Sequence, residues 1–260
     1  VMGVVEWPSW IPDAIVALGP CMAQRLMDRG IPREKIHVCH NWADGDELSP
    51  RPFHRDGRLK VFYSGNFGLA HDFDTLLDAL NPLGRDPRFH FAFSGGGPRK
   101  QALFDTCQSE GFDSCVFDGF SPRDALGHRF GLCDVGLVLQ REETCGSLVP
   151  SKTYGIMAAG RPIVFVGPAS ATPAQIIAQH GIGWHVHNGD ADGLASLLRW
   201  LQQNPREVEA AGARAREAFD AHYDSALGIR NVLSVLGLAA PASARNRVRD
   251  LHARPAARTA

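Results

Sequence analysis

The chain of 260 residues is long enough for one large or two modest domains, and its apolar fraction of 44% supports a sizeable core. A formal net charge of −1 argues against nucleic acid as a partner, and six scattered cysteines without a C-x-x-C pair argue against a disulfide framework or zinc site and for a reduced, cytoplasmic setting. No apolar run approaches the roughly 20 residues that cross a bilayer, and the opening Val1-Met2-Gly3-Val4-Val5-Glu6 has neither a basic n-region nor a methionine at position 1, as expected of a fragment.

Residues 1–50 read as a strand at 14–18, a helix at 20–28 and a strand at 36–39. That is too little to bury a sheet, so this stretch is expected to be the tail end and linker of a second α/β domain. Trp7, Trp10 and Trp42 are expected to face the rest of it. From residue 51 onward, short apolar runs alternate with helical patterns. Strands are expected at 59–63, 89–93, 115–117, 135–139, 163–166 and 184–186. Helices are expected at 72–80, 98–110, 123–130, 173–180 and 194–203, with another opening at Pro150-Ser151 and closing at Gly160. This alternation implies a doubly wound, Rossmann-like parallel sheet with helices on both faces, over residues 51–204. Residues 205–240 read as C-terminal helices. The tail 241–260 carries Arg245, Arg247, Arg249, Arg254 and Arg258 among Ala and Pro and reads as solvated, disordered chain. Its charge would also suit peripheral contact with the inner face of the plasma membrane.

The most informative stretch is Val149-Pro150-Ser151-Lys152-Thr153-Tyr154-Gly155-Ile156-Met157-Ala158-Ala159-Gly160-Arg161-Pro162. Ser151 is a candidate N-cap, Gly160 suits a left-handed C′ position, and Pro162 stops the helix before a buried strand. A helix that opens just after Gly146-Ser147 offers free backbone N–H groups and a positive dipole end to a phosphate or diphosphate. Three glycine-bearing turns fall at carboxyl ends of strands, where open parallel sheets bind ligands. They are Ser64-Gly65-Asn66-Phe67-Gly68, Ser94-Gly95-Gly96-Gly97 and Gly146-Ser147. Neither a G-x-G-x-x-G nor a Walker sequence is present. His40, His185 and His187 form no metal-ligand pattern, and Asp134 reads as a turn residue.

Taken in order, these residues resemble the C-terminal, donor-binding half of a GT-B retaining glycosyltransferase of group 1, or family 4. The resemblance rests on His37-Val38-Cys39-His40-Asn41-Trp42-Ala43-Asp44, Tyr63-Ser64-Gly65-Asn66 through Asp74-Thr75-Leu76-Leu77, and Phe93-Ser94-Gly95-Gly96-Gly97. It continues through Phe117-Asp118-Gly119-Phe120, Cys133-Asp134-Val135-Gly136-Leu137-Val138 and the block 149–162. Bacterial enzymes that build capsule, O-antigen or other exopolysaccharide units are the most similar group. The resemblance implies transfer of a sugar from a nucleotide-diphosphate sugar, with UDP favoured, to a saccharide or polyprenyl-linked acceptor. It implies retention at the anomeric carbon, no metal and no further cofactor.

It also implies site residues. The backbone of Gly146, Ser147, Leu148 and Ser151, with the turns at Gly65, Asn66, Gly95, Gly96 and Gly97, would hold the nucleotide. Gly119, Phe120 and Ser121 would pass backbone along the base, and Arg99 and Lys100 would approach the nucleotide. The family's two phosphate-binding cations fall here at Asn66 and His71, and its paired glutamates at Ser147 and Gly155, so neither pair is present. Lys152 is expected to supply the missing charge, assisted by a protonated His71, while Tyr154 or Glu143 would serve the ribose. Two other readings follow from these departures: a non-catalytic nucleotide-sugar-binding or assembly subunit, and a GT-B sugar-nucleotide epimerase. The epimerase would need acidic groups in the cleft, and the loops named above are poor in them.

Overall fold

A computed structural model describes residues 12–120 and 123–238 of the chain. Trp7, Trp10, Ser121 and the arginine-rich tail lie outside the described residues. The chain begins with β1 (Ile15–Ala17), α1 (Pro20–Met27) and β2 (Ile36–Val38). Next come β3 (Leu59–Asn66), α2 (Phe73–Leu80), β4 (Phe89–Gly96), α3 (Lys100–Ser109), β5 (Cys115–Asp118) and α4 (Arg123–Leu132). The second half holds β6 (Val135–Leu139), α5 (Lys152–Ala158), β7 (Ile163–Val166), α6 (Thr172–His180), β8 (Gly183–Val186), α7 (Ala191–Gln203), α8 (Pro205–His222) and α9 (Ser225–Val235).

β3 to β8 form one parallel six-stranded sheet in the order β5-β4-β3-β6-β7-β8. β1 and β2 pair in parallel as a separate two-stranded sheet, with their own small core of Ala17, Ala23, Ile31 and Ile36. The pleat of the large sheet sorts its side chains. Leu59, Val61 and Tyr63 of β3, Phe89, Phe91 and Phe93 of β4, and Val135, Leu137 and Leu139 of β6 join one core with α2, α3 and α7. Phe62, Val138, Ile163 and Phe165 point the other way, into a core shared with α4, α5, α6 and α8. Burial on both faces explains why these strands read as continuous apolar runs.

Short-range chemistry sets the ends of the helices. Asp72 caps α2 by accepting the Thr75 N–H at 3.2 Å, and Asp190 caps α7 at the Gly193 N–H at 2.9 Å. Gly160 takes φ 64°, the left-handed C′ expected from the sequence, and the Arg161 N–H bonds back to Ile156 O, which completes a Schellman ending. α8 is not a separate appendage. Its Val208, Ala211, Ala215 and Phe219 are buried, and its Arg216 donates to Ala158 O at the end of α5 at 2.6 Å. The linker segment also runs beside the α8–α9 junction, with Ser225 N donating to Ala43 O at 3.0 Å. Trp42 is therefore occupied within the described residues: a Cβ on Gly228 of α9 would lie 2.2 Å from its ring.

Candidate functional site

The strand order reverses direction between β3 and β6, and in doubly wound sheets ligands bind at the carboxyl ends beside such a switch. A cleft of about 620 Å³ opens there. Its walls come from the end of β3 (Ser64, Gly65, Asn66), from His71, from the start of α5, from Leu126 and Phe130 of α4, and from the linker. A second cavity, of about 420 Å³, lies against the face of β3–β5 that carries Lys60 and His90. Its Asp56 is ion-paired with Arg58 and Lys60, and its Asp118 with Arg129.

Among the described residues that line the cleft, Lys152 is the one lysine or arginine. α5 brings it there by lying close over β6: a Cβ on Gly136 would meet the Ile156 side chain at 2.6 Å, so only glycine at that point lets the helix sit so near. The Nζ is shielded from solvent, has no hydrogen-bond partner among the described residues, and stands 3.7 Å from the centre of the Tyr63 ring. It is also 3.6 Å from the Cβ position of Gly65, where φ is 135°. Among the described residues, the ring face is what compensates the ammonium for its lost hydration. Burial accordingly pushes its pKa down from 10.5 to about 7. Tyr63 is itself fixed, donating from its hydroxyl to Asn66 O at 2.6 Å.

His71 lines the same cleft, but not as a cation. Its Nδ1 lies 2.8 Å from Leu139 O, an acceptor only, so Nδ1 carries the proton and Nε2 is left as an acceptor. Burial first, and then the nearby Lys152 ammonium, push its pKa down to about 4. The expectation of a protonated His71 is thus corrected: near neutral pH it offers a lone pair.

The expected backbone cradle is arranged differently from the sequence reading. Ser151 stands at the N-cap position of α5, but its side chain caps no N–H. The Ser147 and Leu148 N–H groups turn inward to Thr144 O, at 3.0 and 3.4 Å. Gly146 packs under α1, where the Arg25 guanidinium donates to Cys145 O at 2.9 Å. Of these loop residues, Leu148 and Ser151 line the cleft, whereas Gly146 and Ser147 do not. Fully buried Gln140 holds the loop from beneath, its Nε2 donating to Thr144 O and Leu148 O, each at 3.3 Å.

Several other expected residues lie away from Lys152. Tyr154 is fully buried, its ring against Tyr223 and its hydroxyl 3.4 Å from His40 Nδ1, so it cannot face a ribose in this cleft. Glu143 sits in a separate acidic recess with Asp72 and Asp74, 3.8 Å from Arg141. Arg99 is ion-paired with Asp74, which Arg141 also holds. The triple-glycine turn serves packing. Cβ atoms there would strike Gly65 O from Gly95, the Phe120 ring from Gly96, and Asn66 and Phe67 from Gly97. Gly119 and the exposed Phe120 fold back over the end of β4, Gly119 O accepting from the Gly95 N–H at 3.1 Å.

The linker supplies what the sequence reading missed. Asp44, Glu47 and Leu48 line the cleft, so it is not poor in carboxylates. They fall in the stretch 1–50 that the sequence reading took as the tail end and linker of a second domain, and the polar turn Asp44-Gly45-Asp46-Glu47 was not singled out. Arg161 was missed as well. It is fully buried, donating to Phe130 O, Arg51 O and Gly131 O at 2.9–3.0 Å and stacking over Phe53 at 3.9 Å.

Residues 44–218 match the family model described as glycosyl transferases group 1. The chain belongs to this family. This group 1 glycosyl transferase chain is 32% identical over 231 residues to the probable glycosyltransferase WbjE of Pseudomonas aeruginosa, covering 84% of the chain and 56% of that protein. It is 24% identical over 220 residues to the putative colanic acid biosynthesis glycosyl transferase WcaI of Escherichia coli, covering 80% of the chain and 54% of that protein. The chain thus spans about half the length of the curated relatives it matches. Among solved structures, HepE of Anabaena in complex with UDP-glucose superposes with a TM-score of 0.72 at 15% identity, over 87% of this chain and 64% of that one. TarM of S. aureus superposes with a TM-score of 0.70 at 15% identity, over 86% of this chain and 43% of that one. Both are GT-B proteins, and the parallel six-stranded sheet of the group 1 chain is the fold they share with it.

Proposed function

We propose that this chain is the donor-binding half of an enzyme that transfers a sugar from a UDP-sugar, with retention, to a saccharide or lipid-linked acceptor in bacterial cell-surface polysaccharide assembly. The observation that carries the reading is the buried, unpartnered Lys152 ammonium at the switch point of the sheet. A diphosphate leaving group gathers negative charge as the glycosidic bond breaks, and a fixed cation at that spot stabilises it. One ammonium in a poorly hydrated cleft does this more strongly than in water. Neutral His71, with Nε2 as an acceptor, is suited to a sugar hydroxyl, and the polarised transfer needs no bound metal. The fold neighbour named in complex with UDP-glucose and the relative named for colanic acid biosynthesis support the choice of donor and setting. The acceptor would be held largely by the part of the relatives' length that this chain does not span.

Calorimetric titration of UDP, GDP and UDP-N-acetylglucosamine into the chain tests this. A uridine nucleotide is expected to bind, and Lys152→Ala to weaken it by about 1.5–3 kcal/mol, the loss expected for a charge-assisted contact. Absence of nucleotide binding by the folded chain, or indifference to Lys152→Ala, would overturn the reading.

A further inference from the structure

Three imidazoles and two phenols meet where the linker crosses onto the large sheet's helices, and none of them lines the cleft. His40 comes from the linker, Tyr154 from α5, His180 from the end of α6, and His222 and Tyr223 from the end of α8. Buried Tyr223 is the centre of the group. Its ring stands edge-on to His40 at 5.3 Å and to His180 at 6.0 Å, and tilted to Tyr154 at 5.4 Å. The His180 and His222 rings are themselves 5.3 Å apart. The Tyr154 hydroxyl lies 3.4 Å from His40 Nδ1 and the Tyr223 hydroxyl 3.3 Å from His180 Nε2, so each phenol can donate to an imidazole that keeps a lone pair there. Beside them the Ala43 N–H donates to Tyr223 O at 3.4 Å and the Ser225 N–H to Ala43 O at 3.0 Å.

The charges that reach this cluster are of one sign. When protonated, His180 and His222 act on His40, and His222 acts on His180. Arg214 of α8 adds a cation beside the end of α6, donating to Gly181 O at 2.7 Å. α1 contributes the Cys21 thiol near Tyr154, and the linker the buried Cys39 thiol, neither of which offsets a positive charge. The carboxylate of Asp224, next to Tyr223, is engaged at the start of α9, its Oδ1 accepting the Ala226 N–H at 3.0 Å. Among the described residues, no ion pair joins any of the three imidazoles to a carboxylate. Burial, and then the like charges, hold the pKa of His40 and His180 below the ordinary imidazole value of 6.5. Opening the cluster restores that value, so below pH 6.5 the open form binds more protons than the closed one and is favoured as pH falls. We propose that the cluster is a proton-sensitive latch. With His40, His180 and His222 neutral it fastens the linker to α6 and α8. Their protonation gathers like charges around the Tyr223 ring and releases residues 40–43 while the six-stranded sheet stays folded. The latch does not rest on the nucleotide reading above.

The test is amide hydrogen exchange read by NMR on the full chain from pH 8 to pH 5, corrected for the intrinsic pH dependence of exchange. In wild type the Ala43 and Ser225 amides are expected to lose about tenfold in protection between pH 7 and pH 5, with β6 and β7 unchanged. The range stays above the value of about 4 for His71, the histidine of the cleft. The double variant His180→Gln, His222→Gln removes two of the three charges and leaves an amide for the Tyr223 hydroxyl, so it should hold that protection down to pH 5. In wild type the His40 and His180 imidazole resonances should titrate below pH 6.5, and that of His40 should move up in the double variant. Protection lost equally in the double variant, β6 and β7 opening together with Ala43, no loss in wild type, or His40 and His180 titrating at or above 6.5 would each overturn the latch. Should the double variant fail to fold, the wild-type exchange and imidazole titration decide by the same criteria.

Discussion

An ammonium without a hydrogen-bond acceptor is an uncomfortable group to bury, and the discomfort makes Lys152 useful. Its folded-state pKa of about 7 lies below the ordinary 10.5, so between those values the unfolded chain binds more protons than the folded one. Stability therefore rises with pH across that window, and the cost of Lys152 is largest below pH 7. Lys152→Met is expected to raise stability at pH 6–7 by roughly 1–3 kcal/mol while abolishing nucleotide affinity, as read by denaturant unfolding beside calorimetry. A variant no more stable than wild type would mean the ammonium is better compensated than the geometry shows. A bound diphosphate stabilises the protonated form, so binding should take up a proton above pH 7 and weaken as pH rises towards 10. Titrations in buffers of different ionisation enthalpy would reveal that uptake as heats that differ between buffers, and equal observed heats in all of them would refute it. Arg161 is the structural counterpart. Its guanidinium holds backbone carbonyls from the linker and the end of α4, so Arg161→Leu should cost about 3–5 kcal/mol of stability. A cost below about 1 kcal/mol in chemical denaturation would show those carbonyls finding other partners.

Elements were legible where a strong period or a terminator marked them. β6 and β7 match the expected 135–139 and 163–166 because buried strands in a parallel sheet read as unbroken apolar runs. β3 and β4 run three residues beyond the apolar runs at 59–63 and 89–93, because Ser64-Gly65-Asn66 and Ser94-Gly95-Gly96 keep pairing with each other. Composition alone cannot announce that register. For the same reason the triple-glycine turn resembled a ligand cradle, although the neighbouring β3 end crowds Gly95 and Gly97 and the Phe120 ring crowds Gly96. Lys152 was legible because a helix start fixes its place. Gln140 was not, because its contribution depends on how a later loop folds back over it. Gln140→Leu should therefore leave the sheet intact and free the 141–148 loop. Hydrogen exchange is expected to accelerate at Ser147 and Leu148 while β6 and β7 remain protected. Unchanged protection in that loop would remove Gln140 from its support.

At the scale of the whole molecule, the chain crosses between its small and large sheets through the linker, and that crossing is braced from the C-terminal side. Ala43 pairs with Asp224, and Trp42 lies on Gly228 of α9, so the position of the 44–48 turn depends on two helices that follow the sheet in sequence. Nothing in the order of elements told that Trp42 would meet α9, since the contact spans most of the chain and leaves no local pattern. It does make a remote site testable. A side chain at position 228 cannot coexist with the Trp42 ring, because even its Cβ would stand 2.2 Å away. Gly228→Val should therefore displace Trp42 and, through it, the turn that closes the cleft, without touching the sheet or Lys152. We expect a blue-to-red shift of tryptophan emission, retained far-ultraviolet dichroism, and about tenfold weaker ribonucleotide binding with pyrophosphate affinity unchanged. If pyrophosphate weakens as much as the nucleotide, the disturbance has spread to Lys152, and the bracing is general to the domain. If neither weakens, the linker turn holds its place by its contacts with α4 and α5 alone.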